Sequence, residues 1–294
     1  MTTPAEPLVP SAGEALALSE AEGRVEGWLV ALDVDGTVLH EDDTLDAAVT
    51  ASVRAARARG HEVMLATGRS WRMTEPVLHA LGIAPEYVVC SNGAVIMRRQ
   101  GAFAGVEPAP DYVLAHVETF DASEVLRRIR DYLPAGRFMV ELPDGRRRYT
   151  TGMFDWDLTN ADQVDFDALL GVEVTRVVVV SPDHELEEFL EIVERMGLHR
   201  VSYAVGWTSW LDIAPDGVNK STALERVREW LDAPRSRILV AGDGRNDIEM
   251  FEWAALSGRA VAMGQSPDEV IAVATEVTGP VTSAGLVPVL DSLP

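Results

Sequence analysis

From Trp28 onward the chain alternates short apolar runs with longer stretches of helical period. Trp28-Leu29-Val30-Ala31-Leu32 is apolar throughout, the pattern of a parallel strand covered on both faces. A helical period follows over 45–60, with Thr44 as N-cap and Gly60 as stop. A second run, 63–66, leads to a helix over 70–81 and then to a third run, 87–90. Strand, helix, strand, helix, strand predicts a doubly wound parallel sheet.

The middle of the chain is patterned differently. Asp121-Ala-Ser-Glu124 has the form of a capping box, and Asp144-Gly145 marks a hairpin between strands at 137–142 and 146–151. A strand at 173–180, a helix at 182–196 ending on Gly197, and a returning strand at 200–205 complete an α+β segment. The alternating pattern then resumes: a strand at 211–213, a helix at 221–231, a buried strand at 237–241 and a last core strand at 260–263. The expectation is a doubly wound core split by an insert: an acidic leader over 1–26 with a helix at 13–22, core over 27–111, insert over 112–207, and core again over 208–294.

The chain has 294 residues, 47% hydrophobic and 24% charged, a length that fits two domains or one large α/β domain and ample apolar material for a core. Twenty-five Lys and Arg face 47 Asp and Glu, a formal charge of −22. Such a field repels nucleic acid and anionic lipid, so neither is an expected partner. An anionic substrate would need a local cation. Cys90, the single cysteine, ends an apolar run and reads as a buried strand thiol. With no apolar stretch of membrane-spanning length and no basic start, the reading is a cytoplasmic protein.

Four of the apolar runs end in polar residues: Asp33 and Asp35, Thr67, Asn92, and Asp243 with Asp247. Each alone has an ordinary reading. Asp35-Gly36 makes a turn, Thr67-Gly68 opens a helix, Asn246 and Asp247 cap one, and Lys220 is a solvated lysine. Together they fall at one end of one sheet, beyond the strand carboxyl ends, where open parallel sheets bind ligands. Gathering Asp33, Asp35, Asp243 and Asp247 requires a compensating cation. A carboxylate site without His or Cys suits a hard ion such as Mg²⁺. Lys220 is placed to offset a phosphoryl group.

In order, Asp33-Val-Asp35-Gly-Thr37, Thr67-Gly68-Arg69, Lys220 and Gly242-Asp243-Gly-Arg-Asn246-Asp247 resemble the four motifs of the haloacid dehalogenase-like phosphatases. Ser91-Asn92-Gly93-Ala94 and the insert between motifs two and three resemble the Cof-type branch, which has a Rossmann-like core and an α/β cap. The resemblance implies a phosphomonoester hydrolase acting through an aspartyl-phosphate on a small phosphorylated metabolite, a sugar phosphate first. It makes Asp33 the nucleophile and Asp35 the general acid and base. Mg²⁺ falls to Asp33, the Asp35 carbonyl, Asp243 and Asp247, the last directly or through water. Thr67, Gly68, Asn92, Lys220 and Asn246 contact phosphate or substrate; Lys220 also offsets charge, and Asn246 orients Asp247 and the phosphate side of the loop. Ser221, a minor change, Gly264-Gln265-Ser266 and Ser283-Ala284-Gly285 depart from the family pattern; the last two bear on substrate choice through the distal loop walls.

A phosphotransferase or phosphomutase would use the same aspartyl-phosphate. A non-catalytic phosphate sensor would lack the nucleophile or acid, and both are present. Gly242-x-Gly244 begins like a dinucleotide fingerprint, but Asp247 stands where the third glycine belongs. In the insert, Arg146-Arg147-Arg148 reads as a solvated hairpin edge, with a second substrate anion as the alternative. Trp156, Trp207 and Trp210 read as packing residues, with a sugar ring as the alternative.

Overall fold

The computed structural model describes residues 26–101, 111–152, 159–198, 201–205 and 209–294. The helix expected at 13–22, Trp156 and Trp207 lie outside these residues. The chain opens with β1 (Leu29–Leu32), α1 (Ala47–Ala58), β2 (Glu62–Leu65), α2 (Trp71–Leu81), β3 (Tyr87–Cys90), β4 (Val95–Arg99) and β5 (Tyr112–Val117). Next come β6 (Phe120–Asp121), α3 (Ser123–Tyr132), β7 (Arg137–Glu141), β8 (Arg147–Tyr149), β9 (Ala161–Gln163) and β10 (Glu173–Val174). These are followed by β11 (Arg176–Val180), α4 (Leu186–Met196), β12 (Val201–Val205) and β13 (Trp210–Pro215). The chain closes with α5 (Lys220–Trp230), β14 (Ile238–Gly242), α6 (Ile248–Ala255), β15 (Arg259–Ala262), α7 (Asp268–Ile271), β16 (Glu276–Val277) and α8 (Leu286–Asp291).

The core sheet is parallel in the order β16-β15-β14-β1-β2, and a parallel bridge between Ala66 and Val89 brings β3 beside β2. The chain winds from β1 out to β3, then returns to β14 and winds the other way. The reversal of strand order therefore falls between β1 and β14. Strand alternation divides the side chains between two helical layers. Val30 and Leu32 pack with Val49, Val53, Leu78 and Leu290 from α1, α2 and α8. Leu29 and Ala31 pack with Leu224, Val227, Met250 and Phe251 from α5 and α6. Helices on both faces explain why the strands are apolar without interruption. Each buried Leu or Val contributes about 1.5–3 kcal/mol, so a one-residue slip would expose a whole layer.

The insert forms a second sheet, β12-β13-β11-β7-β8-β9, with its own core. Leu126 and Ile129 of α3 and Phe189 and Val193 of α4 cover Val177, Val179, Leu211 and Ile213. The opposite face carries four buried charged residues, Glu141, Arg147, Arg176 and Asp212.

Strand pairing moves both expected boundaries of the insert. Tyr112–Val117 pairs with β4 and so extends the core, while Trp210–Pro215 pairs with β11 and β12 in the cap sheet. Leu211-Asp212-Ile213 alternates apolar and polar, the mark of a strand with one helix-covered face. That alternation separates it from the core strands.

Smaller differences have local causes. Asp46 rather than Thr44 caps α1, its carboxylate accepting from the Ala48 N–H at 2.6 Å. The expected box at Asp121 is instead a turn in which Asp121 accepts from the Ser123 N–H at 2.9 Å. The strand expected over 173–180 is interrupted at Thr175, and Glu276–Val277 adds a core strand after the one expected to be last. Arg147 is buried and donates to the Thr159 carbonyl, while Arg146 stays at the surface with Asp144. Trp210 packs partly buried against Met139 and Val178. Cys90 is buried in β3, and burial pushes its thiol up to about 12, which keeps it protonated and inert. No helix among the described residues is long and apolar enough to cross a membrane.

Candidate active site

The reversal of strand order positions the chemistry. Asp33 follows β1, and its N–H donates to Ala241 of β14 at 2.9 Å, holding the two strand ends together. Asp243 and Asp247 follow β14. One carboxylate oxygen from each of Asp33, Asp243 and Asp247 lies within 4.8 Å of the others, and all three residues are buried. Lys220 begins α5 and is 0% exposed. Its Nζ donates to Asp33 Oδ1 at 2.5 Å and to Asp247 Oδ1 at 2.7 Å.

Three carboxylates thus share one ammonium, and the excess negative charge shows in their acidities. Burial pushes the Asp33 carboxyl well above the usual range; Lys220 draws it back, and Asp247 and Asp243 push it further. Burial and the Asp247 charge push Asp243 up to about 7. Burial also works against the Lys220 ammonium, but Asp247 and Asp33 outweigh it and hold that group above the usual lysine range.

A divalent cation fits this donor set: the oxygens are hard, they converge, and they carry surplus negative charge. The carboxylates are not equally free. Asp247 spends Oδ1 on Lys220 and Oδ2 on the N–H groups of Asp243 and Gly244, each at 3.0 Å. Asp243 is bonded less closely, by Thr37 and Gln265 at 3.3 Å each. Gly36 makes the arrangement possible: its φ is +77°, and a Cβ there would stand 2.1 Å from Asp243 Oδ2.

Asp35 lies outside the buried group. Its side chain is 57% exposed, and Arg69 grips it through Nε at 3.1 Å and Nη2 at 2.5 Å while also pairing with Asp43. Thr67 is buried, its Oγ1 accepting from the Arg69 N–H at 3.0 Å. Asn92 sits against Gly68, and its N–H donates to the Thr67 carbonyl at 3.0 Å. Ser91 and Asn92 both adopt φ near +50°, a conformation uncommon outside glycine. Gly93 next to them, with φ +100°, lets this loop press on the Asn219 carbonyl, where a Cβ would come within 2.2 Å.

Asn246 does not orient Asp247 as expected; it donates to Asn92 Oδ1 at 3.0 Å, and backbone N–H groups hold Asp247 instead. Asn92 in turn donates to Asp212 of the cap at 2.9 Å. Gln265 is not merely a distal wall: it donates to the Gly36 carbonyl at 2.6 Å and reaches Asp243. Residue-level reading missed the Arg69–Asp35 pair and the cap charges Glu141, Arg176 and Asp212. The available signal for the last two was a lone charge inside an apolar strand.

A family model described as haloacid dehalogenase-like hydrolase matches residues 30–290. The chain belongs to this family. Within it the chain has the Cof-type arrangement, a cap inserted between the second and third motifs. A 5-amino-6-(5-phospho-D-ribitylamino)uracil phosphatase of Bacillus subtilis is 28% identical over 261 residues, covering 85% of this chain and 92% of the relative. A haloacid dehalogenase-like hydrolase structure from B. subtilis shares the fold at TM-score 0.71 and 20% identity, over 90% of this chain and 99% of that one. A subclass IIB sugar phosphatase does so at TM-score 0.68 and 19% identity, over 90% and 98%. This chain is an enzyme of the haloacid dehalogenase-like hydrolases, with phosphatases as its relatives.

Proposed function

We propose that the protein hydrolyses the phosphomonoester of a small sugar phosphate or related organic phosphate through an aspartyl-phosphate on Asp33. The observation that carries this reading is the buried Asp33–Lys220–Asp247–Asp243 group at the point where strand order reverses. An anion that enters an acidic protein is met there by a fixed ammonium.

In the proposed reaction an Asp33 carboxylate oxygen attacks phosphorus in line and the leaving oxygen departs. Asp35 protonates that oxygen, then takes a proton from the water that cleaves the acyl-phosphate, returning Asp33 and releasing phosphate. Arg69 holds the exposed Asp35 carboxylate in one orientation for both transfers. Lys220 offsets negative charge on the transferring group and on Asp33. The Thr67 hydroxyl and the Gly68 N–H bind phosphoryl oxygens, and Asn92 and Asn246 brace that wall. Asp33, Asp243 and the Asp35 carbonyl would hold Mg²⁺, with Asp247 acting through Lys220 and its loop. The ion supplies Lewis-acid neutralisation of charge on phosphorus-bound oxygens. We place the activity in the cytoplasm, where a lone thiol such as Cys90 has no need of a disulfide partner.

Phosphate release over a panel of sugar phosphates, nucleotides and cofactor phosphates, with Mg²⁺ and with EDTA, tests the reading. Turnover should require Mg²⁺, and Asp33→Asn should lower it by roughly 10³-fold or more while the variant stays folded. Full turnover by Asp33→Asn would defeat the assignment.

A further inference from the structure

We propose that Gln265 is a positioning residue of the ion site: its side-chain amide fixes the Asp243 carboxylate against the 35–36 turn and so sets the affinity for the divalent cation. The proposal rests on the phosphatase reading above, in which Asp243 and the Asp35 carbonyl hold Mg²⁺, and adds a residue that acts through Asp243.

Three bonds use the whole amide. Nε2 donates to the Gly36 carbonyl at 2.6 Å and to Asp243 Oδ2 at 3.3 Å, and Oε1 accepts from the Val281 N–H at 3.0 Å. The nitrogen of a side-chain amide carries two hydrogens, so both donor positions are filled. The partners also fix the orientation. Exchanging N and O would turn the oxygen toward a carbonyl and a carboxylate and the NH₂ toward an N–H, which is unfavourable at all three points.

The backbone under Gln265 is braced as well. The Met263 N–H donates to the Gly242 carbonyl at 2.9 Å, at the end of β14, and the Gly264 N–H donates to the Gly279 carbonyl at 3.2 Å. A Cβ at Gly264 would stand 2.9 Å from both the Pro280 nitrogen and the Thr278 carbonyl oxygen, so the two segments lie backbone to backbone. Thr278 Oγ1 closes the second segment by donating to the Gly285 carbonyl at 2.6 Å. The amide therefore projects from a platform tied to β14, the strand that leads into Asp243.

Asp243 needs such a fixture more than its neighbour does. Asp247 is held by the Lys220 ammonium and two backbone N–H groups. Asp243 is steered by two neutral donors, Thr37 at Oδ1 and Gln265 at Oδ2, and each oxygen keeps a lone pair for an ion. Without Gln265 the carboxylate is free to turn, and an ion must order it on binding. The other N–H of the amide holds the Gly36 carbonyl, one peptide beyond that of Asp35. A single side chain thus fixes the spacing of two segments proposed to hold the ion.

Magnesium binding to the full-length protein, measured by calorimetry without substrate, tests the assignment. Gln265→Met keeps nearly the length of the side chain and removes all three bonds. Its Kd for Mg²⁺ should be about 10-fold or more above that of the wild type, the usual loss when the partner of a metal ligand is removed. Activity at limiting Mg²⁺ should fall in step and be largely recovered by excess Mg²⁺, which a merely structural defect would not show. Hydrogen exchange on the wild type provides a second measurement that needs no variant to fold. With Gln265 linking Val281 to Asp243, Mg²⁺ should slow exchange of the Val281 N–H by about threefold or more. The Gly264 N–H, which shares the platform but bonds to Gly279, should slow less. An unchanged Kd in Gln265→Met, or equal slowing at the two amides, would overturn the role of Gln265 and leave the phosphatase reading intact. A wild type that binds no Mg²⁺ would overturn the ion site and this inference with it.

Discussion

Lys220 does at residue scale what the whole chain's composition does not: it places positive charge among buried carboxylates. Removing it leaves Asp33 and Asp247 buried without their cation. Lys220→Met should therefore destabilise the metal-free protein by roughly 3–5 kcal/mol in urea unfolding, and adding Asp33→Asn should restore part of the loss. The acidities give a second prediction. Asp243 is raised to about 7, so without metal the folded chain binds more protons than the unfolded chain between the ordinary Asp range and neutrality. That contribution to metal-free stability is complete at low pH and is lost as pH rises through about 7. Mg²⁺ must displace the same protons. Its gain in melting temperature should be larger at about pH 8 than at about pH 5.5. Equal gains at both would remove Asp243 from the ion's ligands.

At the scale of elements, the junction of Asn219 with α5 sets where that lysine stands. Asn219 accepts from the Thr222 N–H at 3.1 Å, and Thr222 Oγ1 accepts from the Asn219 N–H at 3.2 Å, a reciprocal cap directly before Lys220. Asn219→Ala should cost about 1 kcal/mol in urea unfolding and lower kcat more than an equal loss at a remote cap would. Unchanged kcat would mean the lysine is held by its carboxylate partners alone. The core strands and the residues at their ends were legible in the sequence, because a strand buried on both faces has no polar interruption until it leaves the sheet. β13 was less legible: an alternating strand of six residues does not name its sheet, and Asp212 stood in the middle of a short strand expected in the core rather than in the cap. Arg176 was hidden for the opposite reason, one charge ahead of four valines that define a strand. Its meaning depends on pairing, which brings Glu141 opposite it and Asp212 beside it two positions along the same face, and pairing is a property of the fold.

The whole molecule carries a formal charge of −22, and this opposes the approach of any phosphate ester. The opposing and attracting fields act over different ranges. Repulsion comes from charges spread over the surface and is screened over about 10 Å at 0.1 M salt, whereas attraction by Lys220 acts inside a buried site where salt has little access. Raising monovalent salt from a few millimolar to physiological strength should therefore increase kcat/KM for a dianionic ester, by about two- to fivefold, with kcat unchanged. An uncharged competitor for the leaving-group side should show no such dependence. If kcat/KM instead falls with salt, the field at the site's mouth is positive, and Arg69 with Arg176 must outweigh the acidic surface there. The sign of that slope therefore decides whether substrate reaches the site against the protein's charge or along a local exception to it, because both fields have fixed sources in this chain.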